Sequence, residues 1–316
     1  MTQKLTILDI AKLAGVGKST VSRVLTQDPR VKPATREKVE QVIRESGYVP
    51  SKSAQSMRGG SSKVMGIIVS RLDSPSENKA IRGILEVIYG AGYDAVIMES
   101  QFSAEKTREH LAVLEKRNVD GVIVFGFSGF EDKLLDRFSQ RAVVIAVDTQ
   151  AVSSVSYDNE GMIQLAMAQL TEKGLTAISY IGVDPSDRTT GRLRLDAYLA
   201  ACRKHRLSAV YQTGELSYDS AYALTDKVLK EETQAIVCAS DTLAMGVAKR
   251  LQELQRTEVT VSGVGATDLL SFMFPNTFSI DPGYFEAGEH AARLLLQHLQ
   301  HNAAITHLIQ HASYPA

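Results

Sequence analysis

The sequence predicts an α/β protein in which a small domain of three helices precedes two larger lobes, each built on a parallel sheet. Three observations lead to this prediction. Apolar residues recur at helical spacing in residues 5–47, and from residue 64 onward apolar runs alternate with amphipathic stretches. The charge also divides along the chain. Residues 1–60 contain 11 Lys and Arg against 5 Asp and Glu, a net charge of +6, whereas the rest carries −7.

The first helix is predicted to begin at Thr6. Thr6 and Asp9 have the spacing of a capping box, in which each side chain binds the other residue's backbone N–H group. The segment Gly15-Val16-Gly17 ends this helix and turns the chain. One apolar face lies between these two points at helical spacing: Ile7, Ile10, Ala11 and Ala14.

The second predicted helix covers Lys18–Leu25, and the third has Pro33 in its first turn and ends at Gly47. The second helix has two faces, an apolar one (Val21, Val24 and Leu25) and a polar one (Lys18, Ser19, Ser22 and Arg23). The buried face of the third is predicted to be Val39, Val42 and Ile43. Three short helices around a tight glycine turn are typical of a helix-turn-helix domain, which places its second helix in the major groove of DNA.

The positive charge of this domain makes double-stranded DNA its expected partner. Side chains at the start of a recognition helix reach base edges, whereas small polar groups around it bind phosphates and set the register. We therefore expect base contacts from Lys18, Ser19 and Arg23, and phosphate contacts from Thr6, Thr20 and Ser22.

A short segment links this domain to the rest of the chain. Ser51–Arg58 has the length of two helical turns, and the flexible sequence Gly59-Gly60-Ser61-Ser62 follows it. So short a helix is marginal in water, and it is expected to order only when it meets DNA. The predicted domains are therefore a DNA-binding domain at 1–50, a hinge helix and linker at 51–62, and a larger domain at 63–316.

The larger domain has the alternation typical of parallel sheets with crossover helices, and two such sheets in sequence indicate two lobes facing a cleft. The predicted strands are Val64–Val69, Ala95–Met98, Gly121–Phe125, Val143–Val147, Ile178–Gly182, Ala235–Ala239 and Val261–Val264. The predicted helices are Ile81–Ala91, Ala104–Arg117, Gly161–Lys173, Arg192–His205 and Leu243–Leu254.

Polar side chains gather after these strands, where ligands of such folds bind. Carboxylates and arginines suit the directional hydrogen bonds of a sugar, and Arg71, Arg188 and Arg194 are also suited to a phosphate. The candidate ligand-binding residues are Arg71, Asp73, Glu77, Gly126, Ser128, Asp148, Asp187, Arg188, Thr189, Thr190, Arg194, Asp241, Thr242, Asp281 and Tyr284.

Other functions find little support in the sequence. The segment Gly15–Thr20 resembles the end of a phosphate-binding loop, but Lys12 stands where that motif requires Gly. Neither a Ser-His-Asp nor a Cys-His spacing indicates catalysis, and Cys202 and Cys238 have no metal or disulfide pattern. We expect no enzyme activity, no catalytic residues, no metal and no cofactor. Without a signal peptide or a membrane-spanning apolar run, a soluble cytoplasmic protein is expected.

Several motifs resemble the lactose repressor family of bacterial regulators. They are DIAxxAGV at Asp9–Val16, STVSRVL at Ser19–Leu25, GYxP at Gly47–Pro50, Arg194 with Tyr198, and Ser240–Gly246. The resemblance covers essentially the whole chain. It implies a homodimer that binds operator DNA, a core resembling periplasmic sugar-binding proteins, and a small-molecule effector in the cleft. It also implies DNA contacts from the hinge at Ser51, Ala54 and Met57, with Met57 inserting into the minor groove.

Four further segments resemble the branch of the family that controls trehalose use: Arg71–Ser74, Met98–Ser103, Val124–Phe127 and Asp281–Tyr284. This implies a repressor of a trehalose utilisation operon that trehalose 6-phosphate releases from its operator. It also adds Leu72 and Ser74 to the candidate effector-binding residues.

Two alternatives remain open within the same class of regulator. Val147 stands where the trehalose branch has a basic pocket residue, which favours another sugar or phosphosugar. Phe125, Phe127 and Tyr284 suit base stacking, as expected for a purine-type corepressed regulator. A transport-type sugar-binding protein is disfavoured by the DNA-binding module.

Overall fold

The computed structural model describes residues 5–26, 28–48, 61–301 and 303–315. The chain divides into two compact units, Met1–Ser62 and Lys63–Ala316. The predicted division of the first unit at residue 50 stays a prediction, because residues 49–60 lie outside the described residues.

The first unit contains three helices, α1 (Ile7–Ala14), α2 (Lys18–Leu25) and α3 (Pro33–Ser46). The capping box starts α1, since Thr6 N donates to Asp9 Oδ2 at 2.8 Å and Asp9 N donates to Thr6 Oγ1 at 3.4 Å. Gly15 ends α1 at φ 60°, a left-handed conformation that glycine adopts without strain. A small core joins the helices: Ile10, Ala11, Ala14, Val21, Val24 and Val39.

The first lobe of the second unit carries a six-stranded sheet in the order β11-β5-β4-β3-β1-β2, with every pairing parallel. Its elements are β1 (Val64–Val69), α4 (Pro75–Gly90), β2 (Asp94–Glu99), α5 (Ala104–Lys116), β3 (Gly121–Phe125), a 3₁₀ helix (Asp132–Phe138), β4 (Ala142–Ile145), β5 (Ser153–Tyr157), and after the second lobe α11 (Tyr284–His301) and β11 (His307–Gln310). Helices pack on the sheet in two separate apolar clusters, one formed with α4 and α11 and the other with α5 and the 3₁₀ helix.

The second lobe carries a five-stranded sheet in the order β10-β9-β8-β6-β7, also parallel throughout. Its elements are α6 (Asn159–Glu172), β6 (Ile178–Val183), a π-helix (Arg188–Leu193), α7 (Arg194–His205), β7 (Val210–Gly214), α8 (Tyr218–Val228), β8 (Ala235–Cys238), α9 (Asp241–Glu253), β9 (Thr260–Val264), α10 (Asp268–Met273) and β10 (Thr277–Ile280). Together with the first unit, these sheets confirm the predicted fold class.

The chain crosses between the lobes three times, at 157–159, 281–283 and 311–313. The third crossing is bonded to the other two. Asp158 N donates to Gln310 O at 3.0 Å, and Asp281 exchanges two backbone hydrogen bonds with Ser313, of 2.9 and 2.8 Å. The three crossings therefore form one hydrogen-bonded hinge between the sheets.

Two glycines bring α4 and α11 into backbone contact on the first lobe. A Cβ atom at Gly83 would lie 2.0 Å from the carbonyl oxygen of Phe285, and one at Gly288 would lie 2.0 Å from that of Ala80. Only residues without a side chain permit this approach. Since α11 follows the second crossing, the contact fixes α4, and with it one wall of the cleft, against the hinge.

Candidate DNA-binding surface and effector cleft

The second helix of the first unit presents a polar surface. Lys18, Ser19 and Arg23 are exposed, whereas Val21 and Val24 on the opposite face are buried against α1 and α3. Gly17 precedes the helix without a side-chain cap, and Thr20 N donates to Gly17 O at 2.9 Å, so a phosphate at this helix end would meet the N–H groups of Lys18 and Ser19. The surface has the charge and the helix end that contact with DNA requires.

The other candidate DNA contacts occupy different positions. Thr6 is exposed at the start of α1, where its hydroxyl also donates to Asp9 Oδ2 at 2.6 Å. Thr20 and Ser22 are half-buried on α2. The hinge candidates Ser51, Ala54 and Met57 lie outside the described residues.

A cleft of about 780 Å³ lies between the two lobes of the second unit. Ten of the candidate ligand-binding residues line it: Arg71, Ser74, Glu77, Gly126, Ser128, Asp187, Thr189, Thr190, Arg194 and Tyr284. The carboxyl ends of β1 and β3 and the π-helix after β6 bring these residues together. The volume is in the range of small-molecule sites.

Glu77 is the most perturbed carboxyl group of the cleft. Its Oε2 accepts hydrogen bonds from Ser70 N at 2.7 Å and Arg71 N at 3.4 Å. Burial raises its pKa to about 7, against the lowering effect of these bonds and of the Arg71 charge. The side chain therefore changes charge near neutral pH, in contact with the space that a ligand would occupy.

Arg194 places a buried positive charge in the cleft. The residue is only 3% exposed, and its Nε donates to Asn159 Oδ1 at 2.8 Å. A second hydrogen bond runs from its guanidinium group to Ala239 O. The described residues include no carboxylate in a salt bridge with Arg194, so a bound anion would add the counter-charge that this guanidinium group lacks.

Arg71 and an aromatic pair complete the lining near the hinge. Arg71 Nε lies 3.3 Å from Asp73 Oδ1, in a pair that is open to solvent on the Asp73 side. The rings of Tyr157 and Tyr284 meet edge to face with centroids 5.0 Å apart. Burial raises the pKa of Tyr157 well above its usual value, so the phenol stays neutral and can donate a hydrogen bond.

The remaining candidates lie elsewhere. Asp148 and Arg188 line an adjoining hollow of about 730 Å³, which shares seven residues with the cleft; there Arg188 N donates to Ser128 Oγ of the other lobe at 2.8 Å. Val147 lines the same hollow and packs against Gly126. Five candidates line neither space: Leu72, Asp73, Asp241, Thr242 and Asp281. Asp241 is buried and accepts from Thr267 N and Ser279 Oγ, at 2.7 and 2.6 Å.

Sequence reasoning missed Tyr157 and Asn159, which line both spaces. Both belong to the first crossing: Tyr157 is the last residue of β5 and Asn159 lies two residues beyond it. The sequence of β5 is too polar to be recognised as a buried strand. Phe102 also lines the cleft, from a loop where Gln101 and Phe102 have φ of 53° and 57°. The rule that ligand sites follow strands would have found Asn159 if β5 had been predicted.

The architecture defines a class of protein. A helix-turn-helix domain followed along the chain by two parallel-sheet lobes around a cleft is the organisation of a ligand-responsive DNA-binding regulator. Among the described residues, no helix is long and apolar enough to cross a membrane, and no group of three or more His, Cys, Asp or Glu could hold a metal ion.

Comparison with known proteins gives the family. Residues 6–51 match the model of bacterial regulatory proteins of the lacI family, and residues 167–314 match a periplasmic binding protein-like domain. The chain belongs to the lacI family of bacterial regulatory proteins and is a DNA-binding transcriptional regulator, as the motifs predict. It is 48% identical over 299 residues to the HTH-type transcriptional regulator TreR of Salmonella typhimurium, covering 95% of each chain.

Solved structures agree with this assignment. The chain is similar to the trehalose repressor from Escherichia coli, with a TM-score of 0.78 and 42% identity over 80% of this chain and 99% of the other. It is also similar in fold to the lac repressor dimer bound to operator, with a TM-score of 0.87 and 22% identity over 99% of this chain and 98% of the other.

Proposed function

We propose that the protein represses a trehalose utilisation operon and that trehalose 6-phosphate, bound in the cleft, releases it from the operator. The observation that carries the proposal is Arg194. This buried guanidinium group faces a cleft that also contains Arg71 and several hydroxyl groups. Arginines suit the phosphate and the hydroxyls suit the sugar rings. The likeness to TreR and to the trehalose repressor supports the identity of the sugar.

Residues of both lobes are proposed to contact the effector. Arg71, Ser74 and Glu77 belong to the first lobe, whereas Thr190 and Arg194 belong to the second. A ligand that contacts both sets stabilises the arrangement in which they are close. Release from DNA then requires that the effector prefer one arrangement of the lobes, and moving a population from 1:99 to 99:1 takes about 5.5 kcal/mol of differential binding.

A titration tests the effector. The full chain is titrated calorimetrically with trehalose 6-phosphate, trehalose and glucose 6-phosphate, with and without operator DNA obtained by in vitro selection. The proposal requires tighter binding of trehalose 6-phosphate than of trehalose, and weaker binding of effector when operator is present, because linkage is reciprocal. Equal affinity with and without operator rules out induction, and tighter binding with operator makes the ligand a corepressor.

The role of Arg71 is tested in the same experiment. Arg71→Ala should weaken trehalose 6-phosphate by roughly tenfold or more and trehalose much less, because a charged hydrogen bond to the phosphate is lost. Equal weakening of the two ligands contradicts phosphate recognition by Arg71. The runner-up effectors, another phosphosugar or a purine, are screened in parallel. The purine gains support from the aromatic rings of Phe102, Phe127 and Tyr284 in the cleft.

The protein is further proposed to act as a homodimer. Four apolar side chains are exposed on α8 and α10 of the second lobe: Tyr218, Leu269, Phe272 and Met273. Tyr218, Leu269 and Met273 line one surface hollow, and Phe272 is next to Met273 along α10. Contiguous exposed apolar surface is typical of an interaction site. A symmetric dimer would present two recognition helices, as palindromic operators require. As a regulator of transcription in bacteria it is proposed to work in the cytoplasm, without enzyme activity or a cofactor.

A further inference from the structure

Lys79 on α4 reaches from the first lobe into the second. Its Nζ donates to Gly265 O at 2.9 Å and to Ala266 O at 2.5 Å. Both acceptors belong to the loop that joins β9 to α10. Lys79 is not among the residues that line the cleft, so it is not placed to contact a ligand there directly.

The loop that receives Lys79 is held rigidly inside the second lobe. Gly265 N donates to Ile280 O at 2.9 Å, Ala266 N to Ser279 Oγ at 2.8 Å, and Thr267 N to Asp241 Oδ2 at 2.7 Å. Ala266 has φ 48°, which a residue with a side chain rarely adopts, so these three bonds maintain a strained turn. The turn leaves two adjacent carbonyl oxygens for one ammonium group.

The loop is also hydrogen-bonded to an ionisable group, the carboxyl group of Asp241. The carboxyl group is 4% exposed, and burial raises its pKa, while its hydrogen bonds with Ser279 and Thr267 and the Lys79 charge act in the opposite direction. The ammonium group of Lys79 thus stabilises both the loop carbonyls and the carboxylate that holds the loop. The loop also adjoins the second crossing, because Ile280 precedes Asp281.

The helix that carries Lys79 also forms part of the cleft. Ser74 caps α4 through Glu77 N at 3.3 Å, and both residues line the cleft within two turns of Lys79. We propose that Lys79 is a positioning residue that locks α4 to the 265–267 loop and so holds the cleft in the arrangement that binds effector. This inference rests on the proposed function, since it assigns regulation to the same cleft.

Three variants test the proposed role of Lys79. Lys79→Met removes the charge and keeps much of the side-chain length, Lys79→Arg keeps the charge, and Lys204→Met removes an exposed lysine from α7 as a matched control. Trehalose 6-phosphate should bind Lys79→Met roughly tenfold more weakly than wild type, because two charged hydrogen bonds are lost away from the ligand. Lys79→Arg should recover most of this loss, and Lys204→Met should bind as wild type does.

Hydrogen exchange on the ligand-free protein gives a second measurement. In Lys79→Met the amides of Ala266 and Thr267 should exchange faster than in wild type, whereas amides in the strands of both sheets should be unchanged. Failure of wild type to bind trehalose 6-phosphate would count against the proposed effector alone, since the exchange measurement does not require it. The proposal is overturned if the Ala266 and Thr267 amides of Lys79→Met exchange at the wild-type rate. It is also overturned if these amides exchange as fast in Lys79→Arg as in Lys79→Met.

Discussion

Arg194 Nε donates to Asn159 Oδ1 at 2.8 Å, and both side chains line the cleft between the lobes. Asn159 is the first residue of α6 and belongs to the first crossing, where Asn159 Nδ2 donates to Tyr157 O at 3.2 Å. The buried cation of the cleft is therefore oriented by the hinge itself. We therefore expect a ligand that binds Arg194 to act on the hinge.

Replacing Asn159 with Ala tests this connection. The variant leaves Arg194 buried with its bond to Ala239 O but without an acceptor for Nε, which should lower the free energy of unfolding by about 1–3 kcal/mol. Effector binding should weaken as well, because the guanidinium group loses its orientation. Denaturant unfolding and calorimetry measure the two effects. Gln164→Ala, an exposed amide on the same helix, should alter neither. Unchanged effector affinity in Asn159→Ala would mean that the hinge does not orient Arg194 for ligand binding.

The sequence predicted more of the fold than of the site, for reasons that particular elements illustrate. Buried runs such as Gly121–Phe125 are apolar on both faces, so composition alone identified them. The edge strands Val210–Gly214 and His307–Gln310 are half-solvated and polar, and they were not predicted. The interior strand Ser153–Tyr157 was missed because its serines make it polar, although Ser153 bonds to His298 of α11 and Ser154 to His307 of the neighbouring strand β11.

The candidate site was likewise only partly predictable from local sequence patterns. Glu77 and Arg194 were predicted because charged residues follow apolar runs, and this pattern is local in the sequence. Asp241 fits that pattern equally well, yet the structure places it under the 265–267 loop. Nothing in the sequence around Asp241 reveals Thr267 or Ser279 as its partners, since pairing of β9 with β8 and β10 brings them together.

Arg23 is the residue of the DNA-binding surface with the most specific prediction. It is exposed on α2, one turn beyond Ser19. Arg23→Ala should weaken operator binding by about 1–3 kcal/mol if the guanidinium group makes a bidentate hydrogen bond to one base. Titration with labelled operator, obtained by in vitro selection, measures this loss of affinity. Arg44→Ala on α3 removes an equal charge from the same unit and serves as the control. The assignment is wrong if both variants bind the selected operator equally well.

Glu77 should make stability depend on pH in a defined window. Its pKa of about 7 lies above the usual value of 4.5, so the folded protein keeps a proton that the unfolded chain releases. The stability that this group contributes is fully present below about pH 4.5 and is lost as pH rises through about 7. Glu77→Gln removes this dependence. The stability of wild type relative to Glu77→Gln should therefore fall across that window in denaturant unfolding.

The control for this measurement is Glu86→Gln, which removes an exposed carboxylate from the same helix. Parallel stability curves for wild type and Glu77→Gln between pH 4.5 and 8 would mean that Glu77 is not desolvated in solution.

The contact between α4 and α11 predicts a sharp difference between two glycines of one helix. A methyl group at Gly83 would meet the Phe285 carbonyl oxygen, so Gly83→Ala must separate the helix backbones and should cost about 1–3 kcal/mol of stability. Nothing lies within 4 Å of the corresponding position at Gly90, where Ala should be neutral or slightly stabilising. Thermal unfolding of the two variants compares them directly. Equal melting temperatures would refute the close approach of the helices.

The dimer surface can be tested at Phe272, which is 82% exposed on α10 beside Met273. Burial of one such side chain contributes about 1.5–3 kcal/mol, and a two-fold interface contains it twice. Phe272→Ser should therefore raise the dimer dissociation constant by a factor on the order of 100 or more, measured by sedimentation over a range of concentrations. Tyr211→Ser alters an exposed aromatic residue on β7, at the other edge of the sheet, and should leave the constant unchanged. A Phe272 variant that dimerises like wild type places the interface elsewhere.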